Sequence, residues 1–156
     1  MKKVVLIPTY NEKENIEAII RAVFSLSNNY HVLIIDDGSP DGTADIVKSL
    51  MAEFPTQLFI QERKGKLGLG TAYIHGFKWA LQNQYDYIFE MDADFSHNPK
   101  DLDRLFEAIV DNIDEFTETA MGKYGRPSFS GLSYTFVDFS DAECMTTIDG
   151  MIDNCI

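Results

Sequence analysis

Short apolar runs alternate with longer amphipathic stretches along the first 110 residues of the chain. The runs are rich in β-branched, leucine and aromatic residues and are bounded by polar or turn residues, as buried parallel strands are. They comprise residues 4–7, 32–35, 58–60 and 87–89. In the stretches between and after them, apolar residues recur with helical spacing. These residues are Ile16, Ile19, Ile20 and Val23, then Ile46, Val47, Leu50 and Met51, then Tyr73, Phe77, Ala80 and Leu81, and finally Leu102, Leu105, Phe106 and Ile109.

The resulting order β-α-β-α-β-α-β-α predicts an α/β fold in which a mostly parallel sheet is flanked by helices. In open sheets of this kind, ligands bind beyond the carboxyl ends of the strands. The loops that follow the four predicted strands are therefore the first places to search for a functional site.

The pattern weakens after about residue 110, and the charge balance changes there as well. Residues 1–110 carry 11 basic and 16 acidic side chains, a net charge of −5, whereas residues 111–156 carry 2 and 9, a net charge of −7. We predict that residues 1–110 form a ligand-binding α/β core. Residues 111–156 are an atypical acidic segment that completes or caps the same domain, with one or two strands over residues 128–139 and a short acidic helix over residues 142–156.

Composition narrows the class of protein. The 156 residues are 45% hydrophobic and 24% charged, as in an ordinary globular domain, and the formal net charge of −12 disfavours broad binding to nucleic acid or anionic lipid. No apolar run approaches the length of a membrane span. With two cysteines, Cys144 and Cys155, the default expectation is reduced thiols in a cytoplasmic protein.

Two carboxylates stand two positions apart where the fourth predicted strand ends. Asp92 and Asp94 follow the apolar run 87–89. In an extended chain, residues i and i+2 face the same side, so both can present oxygens to one Mg²⁺ or Mn²⁺ ion, which would grip a diphosphate. The alternative for an isolated Asp-x-Asp is that Asp94 begins a turn and caps a helix.

Polar segments also follow the first two predicted strands. Residues 8–12 (PTYNE) break the first strand, and Asn11 can cap the next helix. The aromatic ring and carboxylate of this segment can also stack on and hydrogen-bond a nucleoside. Residues 36–43 (DDGSPDGT) have turn chemistry, but turns do not explain the adjacent Asp36 and Asp37, which repel each other unless a ligand or cation uses one of them.

The segment after the third predicted strand is basic and rich in glycine. Residues 63–71 (RKGKLGLGT) contain three cations and three glycines before a predicted helix. Glycines let the backbone approach an anion, and a helix N-terminus and cationic side chains stabilise phosphate oxygens. We favour phosphate binding over a solvated flexible loop, although the segment is not a Walker A motif.

Taken in order, these segments resemble the family 2 glycosyltransferases with the GT-A fold. They are most similar to the dolichol-phosphate mannosyltransferase (polyprenyl-phosphate mannose synthase) group. The resemblance extends from about Lys3 to Ile109 and implies a Rossmann-like GT-A domain that binds a nucleotide sugar. The segments that carry it are residues 5–12, 36–43, 65–73 and 91–99.

The resemblance implies transfer of mannose from GDP-mannose to a polyprenyl (dolichyl) phosphate with inversion, with Mg²⁺ or Mn²⁺ as cofactor. Asp92 and Asp94 would be the catalytic, metal-binding pair, joined by Ser96 if the chain stays extended. A phosphate acceptor is already anionic and needs no general base, so His97 is not expected to be catalytic. The implied nucleotide-sugar contacts are Pro8, Tyr10, Glu12, Asp36, Asp37, Arg63, Lys66, Gly68 and Asp92.

The chain departs from the family pattern after Ile109. Members usually continue through a Gly-Ser-Arg-Tyr stretch, and the nearest counterpart here is residues 121–126 (MGKYGR), where Lys123 or Arg126 can bind the acceptor phosphate. We identify no amphipathic lipid-facing helix, and the tail is acidic. Peripheral association with the cytosolic face of a membrane would then depend on a separate anchoring partner.

Other functions stay open at this stage. The atypical carboxyl end is compatible with a truncated transferase or a nucleotide-sugar binding module without turnover. Another donor such as UDP-glucose is also possible, because base selection depends on a few pocket contacts. A signalling receiver domain would use Asp36 and Asp37 as an acidic pocket, but there the pair follows the first strand and an aspartate ends the third, where residues 61–63 here are Gln-Glu-Arg.

Overall fold

The computed structural model describes residues 1–111, 128–129 and 132–133. In the first of these ranges, strands and helices alternate as the hydrophobic pattern predicts, and all eight predicted elements are confirmed. The strands are β1 (Lys3–Thr9), β2 (His31–Asp36), β3 (Leu58–Glu62) and β4 (Tyr87–Glu90). The helices are α1 (Ile16–Phe24), α2 (Thr43–Leu50), α3 (Leu69–Gln82) and α4 (Asp101–Asp111).

The four strands form one parallel sheet in the order β3-β2-β1-β4. Strand β1 lies inside the sheet, where Val5 pairs with Val32 of β2 on one side and with Phe89 of β4 on the other. The chain therefore builds outward through β2 and β3 and then returns to the opposite side of β1. Such a reversal leaves a crevice between the loops that follow β1 and β4, and ligands of α/β proteins bind in crevices of this kind.

Helices cover both faces of the sheet, which explains why its strands are nearly continuous apolar runs. Val5 and Ile7 of β1 belong to the core beneath α1, α2 and α4. Val4 and Leu6 belong to the core beneath α3. All four side chains are fully buried, so the alternation of β1 supplies apolar surface to both layers.

Helix α3 lies unusually close to the sheet at Gly76. A Cβ atom at this position would come within 2.9 Å of Leu6 Cδ1 and 3.1 Å of Ile35 Cδ1. The glycine therefore permits the close approach of the helix to the centre of the sheet. This contact sets the position of the whole helix, including its first turn at the carboxyl edge of the sheet.

Two short strands, β5 (Ser128–Phe129) and β6 (Leu132–Ser133), form an antiparallel pair. They confirm that the segment 128–139 contains strands. The predicted helix over residues 142–156, together with Lys123 and Arg126, lies outside the described residues. The longest described helix, α3, has 14 residues, and no helix in the described ranges has the length and apolarity needed to cross a bilayer.

Candidate functional site

A pocket of about 260 Å³ opens at the carboxyl edge of the sheet, where the loops after β1, β2, β3 and β4 meet. Its position agrees with the crevice that the strand order creates beside β1. The pocket wall includes eight residues that the sequence predicts to bind a nucleotide sugar or a cation. These are Pro8, Tyr10, Glu12, Asp37, Lys66, Gly68, Asp92 and Asp94.

Three other predicted residues do not line the pocket. Asp36, Arg63 and Ser96 instead hydrogen-bond to residues of the surrounding loops. The two candidate acceptor residues, Lys123 and Arg126, lie outside the described part of the chain. The structure therefore separates residues that face a ligand from residues that shape the pocket.

Asp36, at the end of β2, is buried and ties the loops after β1 and β2 together. Its Oδ1 accepts hydrogen bonds from the hydroxyls of Thr9 at 2.9 Å and Ser39 at 2.6 Å. Its Oδ2 accepts from the backbone N–H of Ser39 at 2.9 Å. Three donors thus satisfy a carboxylate that is 1% exposed, and Asp36 holds the strand ends in register rather than contacting the pocket.

The same loop after β2 braces the segment that follows β1. The backbone N–H groups of residues 11–13 donate in turn to Ser39 Oγ at 2.9 Å, Thr43 Oγ1 at 3.0 Å and Asp41 Oδ2 at 3.1 Å. Asn11 has a left-handed φ of 62°, and α1 begins at Ile16. The prediction that Asn11 caps α1 is therefore wrong, because the helix begins five residues later and Asn15 occupies the N-cap position.

Asp37 forms a buried ion pair with Arg63. The guanidinium Nε donates to Asp37 Oδ1 at 2.6 Å and a terminal nitrogen donates to Oδ2 at 2.8 Å, and both side chains are 8% exposed. This pair explains how two adjacent carboxylates can lie side by side. Asp36 accepts hydrogen bonds from neutral donors, and Asp37 is paired with a cation. Arg63 is thus engaged with the protein and not extended into the pocket.

Arg63 also fixes the glycine-rich loop. Its guanidinium donates to Thr71 Oγ1 at 2.9 Å and to the carbonyl of Gly68 at 3.3 Å, while the N–H of Leu67 donates to Asp37 Oδ2 at 3.1 Å. Gly65 and Gly68 have positive φ angles of 86° and 98°, conformations that glycine adopts without strain. Specific contacts with Arg63 and Asp37 therefore fold the loop, and residues 64–70 are exposed to solvent.

Lys66 projects from this loop toward the segment after β1. Its Nζ lies 4.8 Å from the centroid of the Tyr10 ring, within the range of a cation–π contact. Both residues line the pocket, and 37% of Tyr10 is exposed. A cation and an accessible aromatic ring thus meet at the pocket.

The chain turns sharply after β4, so the prediction of an extended Asp-Ala-Asp segment is wrong. Residues 93–97 form turns and bends, and Phe95 has a left-handed φ of 61°. Asp94 begins a turn, as the alternative interpretation held, but α4 begins only at Asp101. Both Asp92 and Asp94 nevertheless line the pocket, because the turn, rather than strand alternation, brings them to one wall.

Ser96 contacts Asp94 but does not line the pocket. Its backbone N–H donates to Asp94 Oδ1 at 2.9 Å. Hydrogen bonds from the side chain and the backbone of Ser96 lower the pKa of Asp94 below its ordinary value. The Asp94 carboxylate therefore stays ionised well below neutral pH, as a cation ligand must.

The donor set suits a hard divalent cation that also binds a ligand's phosphates. Within residues 1–111, no cluster of three or more carboxylate, imidazole or thiol groups is gathered around one point. Mg²⁺ and similar ions are, however, commonly held by one or two carboxylates, with substrate phosphates and water completing the coordination shell. Asp92 and Asp94 fit that second arrangement.

One polar contact of this site was not predicted from the sequence. Tyr73, assigned only to the apolar face of α3, donates its hydroxyl to Asp92 Oδ1 at 3.2 Å. The phenol of a helical tyrosine is often buried with its ring, so the sequence contains no signal that its hydroxyl reaches a carboxylate of the next loop.

Comparison with known proteins agrees with this architecture. Residues 4–129 match the family model described as glycosyl transferase family 2. The chain is 44% identical over 108 residues to a polyprenol monophosphomannose synthase of Mycolicibacterium smegmatis, covering 69% of this chain and 41% of that protein. It is 39% identical over 116 residues to a dolichol-phosphate mannosyltransferase of Pyrococcus furiosus, covering 73% of this chain and 32% of that protein.

Solved structures share the fold. A crystal structure of S. aureus TarS (residues 1–349) superposes with a TM-score of 0.59 at 22% identity, covering 72% of this chain and 33% of that one. A mannosyltransferase from Pyrobaculum calidifontis, in complex with GDP-Man and Mn²⁺, gives a TM-score of 0.50 at 24% identity, covering 60% and 27%. The described sheet and helices thus have the GT-A fold.

The chain spans less than half the length of the curated relatives that it matches. The family match, in contrast, covers most of this chain and includes every loop that forms the pocket. The protein therefore belongs to glycosyl transferase family 2.

Proposed function

We propose that this protein transfers mannose from GDP-mannose to a polyprenyl phosphate with inversion, assisted by a divalent cation. The observation that carries the proposal is that Lys66, Asp92 and Asp94 line one pocket beside the Tyr10 ring. Cation, carboxylates and aromatic ring match the phosphates, metal and base of a nucleotide sugar. The names of the curated relatives supply mannose as the sugar and a polyprenyl phosphate as the acceptor.

In this proposal, different residues of the pocket bind the nucleoside and the diphosphate of the donor. Pro8, Tyr10, Glu12 and Asp37 bind the nucleoside, with the exposed Tyr10 ring available for stacking. Lys66 leaves its contact with Tyr10 and neutralises the diphosphate, with the backbone of Gly68 close by. Asp36 and Arg63 hold the loops that carry these residues.

Asp92 and Asp94 would hold the cation. When bound, the cation supplies Lewis-acid stabilisation of the charge that develops on the departing GDP. Ser96 contacts Asp94 through hydrogen bonds that lower the pKa of this carboxylate.

The reaction itself requires little proton transfer. An anionic oxygen of the acceptor phosphate attacks C1 of mannose from the face opposite the diphosphate. A new C1–O bond forms, the C1–O bond to GDP breaks, and the bonding electrons leave with GDP. Because the nucleophile carries its charge already, positioning replaces general base catalysis.

Lys123 and Arg126 are the proposed contacts for the acceptor phosphate. The second candidate function, a nucleotide-sugar binding module without turnover, follows from the length of the chain relative to its relatives. It would retain the pocket and lack transfer. UDP-glucose as donor is the remaining alternative to GDP-mannose.

The test is isothermal titration calorimetry with GDP, GDP-mannose and UDP-glucose, each with Mn²⁺ and with EDTA. We expect Mn²⁺-dependent binding of the two guanine ligands and its loss in Asp92→Ala. Asp45→Ala, which removes an exposed carboxylate from α2, is the matched control and should bind normally. Binding of UDP-glucose alone, or of no ligand, would refute the proposal.

Transfer is then measured with GDP-mannose and a short polyprenyl phosphate. Appearance of a mannosylated lipid product supports the transferase. Binding of GDP-mannose without any product would instead support the binding module.

A further inference from the structure

Tyr73 connects helix α3 to the loop that carries the candidate cation ligands. Its hydroxyl lies 3.2 Å from Asp92 Oδ1, across a separation of 19 residues in sequence. The tyrosine is partly buried beneath the pocket, in the core that α3 forms with the sheet. His97 Nδ1 lies 3.8 Å from Oδ2, the other oxygen of this carboxylate.

The hydroxyl of Tyr73 acts as the donor in this contact. A phenol carries one O–H donor, and the hydrogen bond from it to Asp92 Oδ1 is 3.2 Å long. An ionised carboxylate is its natural acceptor.

Asp92 is held at its backbone as well. Its N–H donates to His97 Nδ1 at 3.3 Å, and the N–H of the preceding residue, Met91, donates to the carbonyl of Leu6 in β1 at 3.0 Å. With the main chain fixed in this way, the remaining freedom of Asp92 is rotation of its carboxylate group. Tyr73 restrains that rotation.

Helix α3 is a firm support for such a restraint. Gly76, one turn after Tyr73, lies against Leu6 and Ile35, so α3 cannot move toward the sheet. The same helix follows directly on the loop that Arg63 ties down through Gly68 and Thr71. One rigid element thus borders both the phosphate-binding loop and the cation-binding carboxylate.

We propose that Tyr73 is a positioning residue that orients the Asp92 carboxylate for the divalent cation. The inference rests on the proposed function, because it assigns a role to a contact of the cation site. A carboxylate that is already oriented loses less conformational freedom when a metal binds, and partners of metal ligands commonly contribute 10–100-fold to metal affinity.

The test compares Tyr73→Phe with a matched control, Tyr85→Phe. Tyr85 is also a buried tyrosine whose hydroxyl makes a hydrogen bond, at 2.7 Å from His31 Nδ1, but it precedes β4 at the opposite edge of the sheet. For each protein, GDP binding is titrated against Mn²⁺ to find the concentration that gives half-maximal binding. Mn²⁺ binding without nucleotide is measured separately by electron paramagnetic resonance.

We expect Tyr73→Phe to raise the Mn²⁺ requirement roughly 10-fold, while Tyr85→Phe leaves it unchanged. Thermal unfolding of both variants shows the structural cost of losing a hydroxyl, which does not by itself move the Mn²⁺ requirement. An unchanged requirement in Tyr73→Phe, with wild-type binding dependent on Mn²⁺, would overturn this inference alone. Absence of Mn²⁺-dependent GDP binding in the wild type would overturn the proposed function together with it.

Discussion

The ion pair between Asp37 and Arg63 shows how single residues shape the pocket. Both side chains are more than nine-tenths buried, and the planar guanidinium contacts both carboxylate oxygens. Lysine cannot reproduce this fork of donors. Because removal of one partner leaves an uncompensated charge away from water, the pair is expected to be costly to break.

We predict that Arg63→Met lowers the free energy of unfolding by about 3 kcal/mol. Arg21→Met is the control, since Arg21 makes a similar two-point contact with Glu53, at 2.9 and 3.0 Å, on the exposed surface. Its loss should be far smaller because water and salt screen the surface pair. Urea unfolding of the wild type and both variants gives the three free energies of unfolding. Equal losses of free energy in the two variants would contradict the prediction.

At the scale of elements, α3 depends on one close contact with the sheet. Gly76 leaves no room for a methyl group between the helix and the buried side chains of Leu6 and Ile35. Gly70 belongs to the same helix, but a Cβ there would meet no atom within 4 Å. Substitution of each glycine by alanine therefore separates the effect of helix propensity on stability from the effect of packing.

We expect Gly70→Ala to raise the free energy of unfolding by about 0.5 kcal/mol, since alanine favours helix. Gly76→Ala should lower it by about 1 kcal/mol, because the strain of overpacking outweighs the same gain. Thermal or urea unfolding gives both values. A stabilised Gly76→Ala variant would show that α3 is free to move away from the sheet.

His31, at the beginning of β2, is expected to make the stability of the protein depend on pH. His31 Nδ1 lies 2.7 Å from the Tyr85 hydroxyl, and burial raises the pKa of Tyr85 to about 12, so the tyrosine donates and the imidazole accepts. Burial, with the nearby charges of Lys2 and Lys3, lowers the pKa of His31. The folded protein therefore favours neutral His31.

From these directions we predict that stability falls as the pH drops below about 6.5, where the unfolded chain binds a proton that folded His31 resists. The loss continues until the pH passes the lowered pKa of the folded state. His31→Phe should reduce the slope of stability against pH. Part of the slope should remain, because burial and the charge of Arg63 also lower the pKa of His75. Urea unfolding from about pH 7 to about pH 5 measures the slope, and an unchanged slope in His31→Phe would contradict the assignment.

At the scale of the whole molecule, the pocket is a product of strand order. Placement of β4 beside β1, rather than beside β3, brings Asp92 and Asp94 next to the segment after β1. The loops after β2 and β3 also meet closely, since a Cβ at Gly38 would lie 3.1 Å from the Gly65 nitrogen. Ligand binding should therefore stabilise the described α/β core as one unit.

We predict that GDP stabilises the protein only when Mn²⁺ is present. At about 100 times its dissociation constant, a ligand that binds the folded state alone adds about 2.7 kcal/mol to the free energy of unfolding. The expected signature is a rise in melting temperature with GDP and Mn²⁺ that EDTA abolishes. An equal rise in EDTA would indicate that the cation does not take part in binding GDP.

The sequence by itself determined the strands, the helices and the set of loops that share the functional edge. Strands and helices leave periodic apolar patterns that depend on neighbouring residues alone. Parallel strands then place the loops at residues 8–12, 36–43, 63–71 and 91–99 along one edge. For this reason eight predicted ligand-binding residues are found in the pocket wall.

Only the tertiary structure decided how individual side chains are used. Asp37 and Arg63 are 26 residues apart, and no local pattern indicates that they pair while the adjacent Asp36 binds Thr9 and Ser39. The left-handed φ of Phe95, in the turn that replaces the expected extended segment, likewise has no signature in the local sequence. Hydrogen bonds and ion pairs between distant loops form only after the sheet has brought the loops together, so their partners are set by three-dimensional packing and burial.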